Sequence, residues 1–324
     1  MFEIAEILDV LKAAGEATRL RILALLKQGD LAVGELAQIL GQSQPRLSHH
    51  LKTLTMAGLV ERLPEGSWVF YRIAPTGRGR DFLDAMFAQI DLKTGDFSRD
   101  TERLSSIRKT RAEAANAYFE SVAGTWDTVR SLHYPNEAIE DALLAAAGPG
   151  PFERLIDIGT GTGRMLALFA DRTKRAEGID LSHDMLTIAR ANLEQEGIEN
   201  ARVRQGDAAA IPYEDESADL VIVHQVLHYV DAPERVIAEA ARILAPGGQL
   251  LVVDFAPHNL EFLRRDHAHR HLGVRHDVLK NWAGVGGLTL SAPRCFEPPK
   301  DLKEGLSVQI WVAHKPHLTK EAAA

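Results

Sequence analysis

Apolar residues over the first 90 positions recur at helical spacing. In Gly15–Leu26 (GEATRLRILALL), Leu20, Leu23, Ala24 and Leu26 share one helical face. Val33–Gly41 (VGELAQILG) repeats the pattern over a shorter run that a glycine closes. In Gln42–Val60 (QSQPRLSHHLKTLTMAGLV), Leu47, Leu51 and Leu54 predict the buried stripe of a further helix. Ser43 suits its N-cap, and Pro45 suits its first turn, where a missing N–H removes no hydrogen bond. Glu61–Ile73 then changes period. Val69, Tyr71 and Ile73 alternate, and Pro64–Glu65–Gly66 supplies a turn, which predicts a hairpin. Met1–Leu11 and Phe82–Ile90 flank this block, with apolar stripes beyond what so small a core needs.

Residues 92–102 (LKTGDFSRDTE) interrupt the pattern, and Gly95 with its polar neighbours predicts a linker or a helix interruption. A helical lead-in follows over 103–124. From Leu155 onward, strand-sized apolar runs alternate with helical patterns. Strands are expected at Leu155–Ile158, up to Asp180, at the start of Arg202–Tyr213, within Ser217–Val230 and at the end of Ala241–His258. Pro246–Gly247–Gly248 is expected as the turn before the last of them. This alternation predicts α/β architecture. The expected division is therefore 1–91, a linker at 92–102, and 103–324.

Composition narrows the picture. A chain of 324 residues has room for two domains at roughly 150 residues each. With 45% hydrophobic and 25% charged residues, it is neither a disordered nor a collagen-like chain. The apolar runs fall far short of the roughly 20 residues a membrane span needs. No signal-peptide core opens the chain, so a cytoplasmic protein with no membrane association is expected. The single cysteine, Cys295, can form neither an intrachain disulfide nor a thiolate-rich metal site. The net charge of −8 hides a local reversal: residues 43–80 carry six basic and two acidic residues, a balance of +4. Such a face can meet a DNA backbone even on an acidic protein.

On the Gln42–Val60 helix, Gln44, Arg46, Ser48, His49 and Lys52 lie off the leucine stripe, where they can face a major groove and its phosphates. Arg62 and Arg72 on the hairpin extend the basic face. The stretches GEATRLRILALL, VGELAQILG and SQPRLSHHLKTLTMAGLV, with the hairpin through YRI, resemble the ArsR family of winged-helix transcription regulators over residues 1–90. The resemblance implies a winged helix-turn-helix (α+β) fold that binds double-stranded operator DNA. It also implies a homodimer, with Met1–Leu11 and Phe82–Ile90 as the expected dimer helices. The family's metal sensors carry thiols where LAVGEL has Ala32 and Gly34, so soft-metal sensing is not implied and no metal site is expected.

The strongest chemical motif is Arg154–Ala170 (RLIDIGTGTGRMLALFA), in which Gly159, Gly161 and Gly163 form a turn between a strand and a helix beginning near Arg164. Such a loop lets a ligand approach the backbone closely. Asp157, just before it, suits a cationic amino-acid cofactor or an ordered water and suits a pyrophosphate poorly. Asp180, at the end of the next strand, can accept both hydrogen bonds of a ribose diol. His183 and Met185 can flank an adenine, and Asp207 and the Ala208 N–H can read its edge. Together with SADLVIVHQVLHYV and ARILAPGGQLLVVDFAPH, these elements resemble a class I S-adenosylmethionine-dependent methyltransferase over about residues 110–315. The lead-in AYFESVAGTWDTVRSLHYP and the LAPGG turn resemble the branch that includes quinone-ring methyltransferases. The fold implied is an α/β Rossmann-like domain with a mainly seven-stranded sheet. The cofactor implied is S-adenosylmethionine, held by Asp157, Gly159, Thr160, Gly161, Gly163, Asp180, Leu181, Met185, Asp207, Ala208 and His224.

Candidate groups for methyl transfer follow the fourth and fifth strands: His224, His228 and Tyr229, then Asp254 and His258. Tyr118, Trp126 and Tyr134 are candidate lid residues. In FLRRDHAHRHLGVRHD (Phe262–Asp277) a strand would put His267, His269 and His271 on one face that could hold zinc or iron. The favoured helical reading puts His267 and His271 on one face, where His267 is a candidate acid or base, or the stretch is a solvated surface helix. Arg264, Arg265 and Arg270 are candidates for neutralising an anionic acceptor. The acceptor is expected to be an unidentified small molecule. DNA methylation lacks its usual Asn/Asp-Pro-Pro-aromatic run, and arsenic methylation lacks its thiols. Three functions stay open: a regulator carrying a working methyltransferase, a regulator that only senses S-adenosylmethionine or S-adenosylhomocysteine, and an enzyme using the winged helix only to dimerise.

Overall fold

Leu47, Leu51 and Leu54 are fully buried, and the core they anchor explains most of the N-terminal architecture. In the computed structural model, which describes residues 4–65, 68–74, 78–110, 136–267, 269–298 and 305–317, the chain divides into two units, 1–114 and 115–324. The first unit runs α1 (Ile4–Ala14), α2 (Ala17–Lys27), β1 (Leu31–Ala32), α3 (Val33–Leu40), α4 (Gln44–Met56), β2 (Val60–Glu65), β3 (Trp68–Ile73) and α5 (Arg78–Phe87), then a helix α6 over 95–110. Glu16 caps α2, its carboxylate accepting from the Thr18 and Arg19 amides at 3.0 Å each. Ser43 occupies the expected N-cap of α4 without a side-chain capping bond.

The hairpin differs from its expected form in two respects. β2 continues through Pro64 to Glu65, because β2 is an edge strand, where proline blocks no ladder bond. β3 lies between β1 and β2, so both of its edges are paired, and side chains on both of its faces are packed. Phe70 packs with Ala32 and Leu63 on one side while Tyr71 and Ile73 join the main core, and the expected in-out alternation does not appear.

Residues 95–102, expected as part of a linker, join the helix expected from 103 to form α6. Leu104 and Ile107 of α6 are buried in the first unit's core. Asp100, 2% exposed, accepts two 2.7 Å bonds from Arg21. Arg103 and Arg108 donate to the carbonyls of Ile39 and Gln28 at 2.7 Å each, satisfying acceptors at the C-terminal ends of α3 and α2. Gly95 stands at the first helical position, where it interrupts nothing. Met1 of the expected first helix, Gly66, residues 111–124 of the lead-in, and Tyr118, Trp126 and Tyr134 lie outside the described residues.

The second unit begins with α7 (Asn136–Ala147) and β4 (Leu155–Ile158), then α8 (Arg164–Leu168), β5 (Ala176–Asp180), α9 (His183–Gln195), β6 (Ala201–Gln205) and β7 (Ala218–His224). It continues with α10 (Pro233–Ile243), β8 (Leu244–Phe255), α11 (Phe262–Asp266), α12 (His276–Val285), β9 (Thr289–Leu290), β10 (Arg294–Phe296) and β11 (Val308–His314). These strands form one eight-stranded sheet of order β10-β11-β8-β7-β4-β5-β6, with short β9 paired to β11. β6 to β8 are parallel, and β11 is antiparallel to β8. Both faces are covered, so successive strand residues enter opposite cores. Leu220 and Ile222 join one cluster; Val221 and Val223 join the other. Pro246–Gly247–Gly248 lies within β8 as an irregularity and not as a turn before it, since the β7–β8 register shifts there. Among the described residues no helix is long and apolar enough to cross a membrane.

The Asp100→Ala variant tests the α6 attachment. Loss of the charge-assisted bonds is expected to raise amide exchange across residues 95–110 by about 10-fold or more, measured by mass spectrometry. Unchanged protection would mean that the tie contributes nothing to the helix.

Candidate functional site

From β4 the chain order runs outward through β5 and β6, then returns to the other side of β4 with β7 and β8. Such a reversal leaves a crevice at the carboxyl ends of the strands. It holds a cavity of about 610 Å³, a size suited to a small-molecule ligand. The Gly159 and Thr160 amides both donate to the Ile179 carbonyl at 2.8 Å, which folds the loop after β4 over β5. Gly159 has φ +71°, and a Cβ there would collide with Val226. Gly161 has φ +52° and meets nothing within 4 Å of a built Cβ, so its backbone is open to a ligand.

Two carboxylates flank this loop. Asp180 accepts from the Gly161 amide at 2.8 Å and from the Ser182 amide at 2.9 Å, one on each oxygen. A carboxylate has about four acceptor positions, so it can still take both hydroxyls of a diol. Burial raises its pKa, while the backbone donors oppose the rise. Asp157 is 1% exposed. Thr160 Oγ1 donates to its Oδ2 at 2.6 Å, and Oδ1 is buried with no hydrogen-bond partner among the described residues. Burial pushes the Asp157 carboxyl up to about 7, with Asp180 adding to the rise and Thr160 opposing it. An ammonium group on a ligand would satisfy Oδ1 and favour the ionised form.

Of the expected cofactor set, Asp157, Gly159, Thr160, Gly161, Asp180, Leu181, Met185, Asp207, Ala208 and His224 line the cavity. Gly163 does not. It caps α8, and a Cβ there would press on Ala189 of α9 at 3.2 Å, so its work is helix packing. His183 is also absent from the lining.

The histidines separate sharply. His224, His228 and Tyr229 line the cavity, whereas His258 and His267 do not. α11 ends at Asp266, so the helical face expected to carry His267 and His271 never forms; His271 Nε2 instead lies 3.1 Å from the Val230 carbonyl. His258 Nδ1 accepts from the Leu260 amide at 3.3 Å. Arg264 pairs with Glu261 and Arg270 with Asp231, away from the cavity, and Arg265 is exposed outside its lining. His228 Nδ1 lies 2.7 Å from Asp254 Oδ1, and both residues are buried. Burial alone would raise Asp254, but His228 and the Leu227 and Phe255 amides hold it below the ordinary carboxylate range. The ionised carboxylate makes Nδ1 the protonated nitrogen of His228 and leaves Nε2 as the acceptor.

His269 belongs to the histidine cluster the sequence offers, but its place beside His228 did not follow from the pattern. It is 3% exposed and packs its ring 4.3 Å from that of His228. Burial, followed by His228, depresses its pKa to about 3. Other site residues carried no sequence signal. Gln225, Val226, Phe255 and the Arg164–Glu140 pair also line the cavity. Among the described residues no three His, Cys, Asp or Glu side chains converge as a metal site.

In the first unit, Gln44, Arg46, Ser48, His49 and Lys52 are exposed on α4, and Arg62 is exposed on β2. Arg72 is not available to DNA. It is 6% exposed, and its Nε donates to Glu61 at 2.9 Å across the β2–β3 ladder. Phe70 to Ile73 of β3 are all buried, so the face that the hairpin pattern predicted to be open is closed.

Comparison with known proteins agrees with this geometry. The family described as "Bacterial regulatory protein, arsR family" matches residues 16–62, and "Methyltransferase domain" matches 156–252. The chain carries an arsR-family helix-turn-helix and a class I methyltransferase domain. A phosphatidylethanolamine N-methyltransferase from Cereibacter sphaeroides is 38% identical over 31% of this chain and 50% of its own length. A ubiquinone/menaquinone biosynthesis C-methyltransferase from Dinoroseobacter shibae is 31% identical over 51% of this chain and 66% of its own. The chain thus spans about half to two thirds of the curated relatives it matches. A chain from the complex between the Haloferax volcanii Trm112 methyltransferase activator and a methyltransferase shares the fold. Its TM-score is 0.50 at 19% identity, covering 64% of this chain and 97% of that one.

The buried carboxylate of the methyltransferase domain gives a pH signature. Because the folded pKa of Asp157 lies near 7, above its ordinary 3.8, its contribution to stability is lost as pH rises through that interval. Asp157→Asn is therefore expected to melt at least about 2 °C above the unsubstituted protein at pH 8. The gap should shrink as pH falls below 7, read by circular dichroism; equal melting at pH 8 would contradict the raised pKa.

Proposed function

We propose that this chain is a DNA-binding transcription regulator whose second unit is an S-adenosylmethionine-dependent methyltransferase acting on a small molecule. One observation carries the reading: the cavity that holds the glycine loop, Asp157 and Asp180 also holds His228, oriented by buried Asp254. When bound, S-adenosylmethionine supplies an electrophilic methyl group on a sulfonium. Asp157 and the glycine loop would hold its methionine part and Asp180 its ribose. Asp207 and Ala208, on the same wall, would read the adenine edge. On the acceptor side, His228 Nε2 would take the proton from the nucleophile, and Asp254 would stabilise the resulting imidazolium. Phe255 and Val226 supply apolar walls that exclude water from the reacting atoms. The relatives' names include a phospholipid amine and a quinone ring, so the likeness supports the reaction class and leaves the acceptor open.

The regulator half rests on exposed Gln44, Arg46, Ser48, His49 and Lys52 along one helix. A homodimer is supported by α1, where Ile4, Leu8 and Leu11 are exposed at 80%, 45% and 47% on one helical face. Phe82, Met86 and Ile90 pack partly against the unit's own core, so α1 offers the larger free stripe to a second copy.

Two measurements test the halves separately. Asp180→Ala is expected to weaken S-adenosylhomocysteine binding by about 10-fold or more in calorimetry; unchanged affinity would remove the ribose assignment. Arg46→Glu with Lys52→Glu is expected to abolish an operator gel shift at physiological salt, and an intact shift would move the DNA contact off α4. Running the same shift with S-adenosylmethionine and S-adenosylhomocysteine, beside a methyl-transfer assay, distinguishes an enzyme from a sensor. Ligand-dependent shifts without any transfer would favour the sensor.

A further inference from the structure

We propose that Gln225 binds the carboxylate of the cofactor's amino-acid end, opposite Asp157 on its ammonium. The assignment rests on the S-adenosylmethionine reading above. It starts from two buried atoms of opposite hydrogen-bonding sense. Asp157 Oδ1 is an acceptor and Gln225 Nε2 is a donor, and among the described residues neither has a hydrogen-bond partner. Both residues line the same cavity. Buried polar groups are nearly always satisfied, so such a pair marks where a ligand brings one donor and one acceptor. The ammonium and carboxylate of an α-amino acid supply both.

The topology brings these two residues to one place. β4 and β7 are adjacent and parallel, with Ile158 opposite Val223. The chain leaving β7 at His224 therefore runs beside the loop leaving β4 at Ile158. Val226 turns back onto that loop, filling the space that a side chain at Gly159 would need. Gln225 makes the turn possible. It adopts φ +56°, while its amide donates to the Val253 carbonyl at 2.7 Å. A left-handed backbone at a residue other than glycine is costly and clusters at functional sites. The charge balance of the cavity points the same way. Among the described residues Arg164 is the only Lys or Arg in its lining, and its Nε already donates to Glu140 at 2.8 Å. Gln225 Nε2 is thus an uncommitted donor beside the glycine loop among the described residues.

The experiment uses the full chain and calorimetry with two probes. S-adenosylhomocysteine carries the amino-acid end; 5′-methylthioadenosine keeps the adenosine thioether and lacks it. Gln225→Glu sets a like charge against the carboxylate. Gln225→Gly removes the amide and relaxes the strained backbone, so a folding defect cannot explain its phenotype. Both variants are expected to bind S-adenosylhomocysteine about 10-fold or more weakly, while 5′-methylthioadenosine changes by less than about twofold. Unchanged S-adenosylhomocysteine affinity would overturn the assignment, and so would equal losses for both probes. If the unsubstituted protein binds both probes equally well, the carboxylate assignment fails and the nucleoside site stands. If it binds neither, both readings fail.

Discussion

A carboxylate buried inside a hydrophobic sheet is the constraint around which the second unit is arranged. Asp157 occupies a β4 position whose face otherwise belongs to the core, and it is 1% exposed. One oxygen is satisfied by Thr160, whose hydroxyl is positioned by the turn at Gly159. The turn in turn depends on Val226 closing over it, and Val226 depends on the left-handed backbone of Gln225. Strand order, loop conformation and the strained residue after β7 form one mechanical chain ending at a single unpaired oxygen. Leaving a polar atom unsatisfied costs on the order of 1–3 kcal/mol, and a fold that retains it gains nothing in stability from doing so.

How far the site was legible depended on whether chemistry coincided with periodicity. Asp157 and Asp180 stand at the ends of apolar runs, where a charge is conspicuous, and the spacing of the glycines fixed the loop between them. The leucine stripe of α4 was equally plain. Gln225 was missed because a single amide after an apolar strand carries no periodic signal, and His269 was one of several histidines in Phe262–Asp277 with no pattern to single it out. Their burial comes from tertiary packing, His269 against His228 and Phe255, Gln225 beneath the turn. The opposite error arose at Arg72, whose alternating neighbours suggested an open face. The structure instead buries Arg72 and pairs its guanidinium with Glu61 on the neighbouring strand.

The same physics explains α6. Glycine and charges in residues 92–102 are the composition of a linker, yet the charges are used in specific pairs. Asp100 meets Arg21, and Arg103 and Arg108 meet carbonyls that the ends of α3 and α2 leave unsatisfied. Composition reports how polar a segment is, not whether its polar groups have partners. Leu104 and Ile107 lie in the stretch read as helical from 103 onward, whereas residues 95–102 show too few apolar positions to extend that reading backward.

The acceptor side bears on the choice between enzyme and sensor. The groups facing Asp157 and Asp180 would be the amino-acid end and the ribose, which S-adenosylmethionine and S-adenosylhomocysteine share. Binding at that wall serves catalysis and sensing equally. The two ligands differ only at the methyl group, so a distinction must be built on the acceptor side, which we propose His228 serves. There the structure buries an imidazole against an ionised carboxylate and packs a second imidazole onto its face. A buried polar pair is a weak source of stability, since desolvation offsets most of the attraction. A sensor has no need for an imidazole held in place by a buried carboxylate, whereas a methyl acceptor that must lose a proton does. The His228–Asp254 pair therefore weighs toward chemistry in this cavity and away from recognition alone.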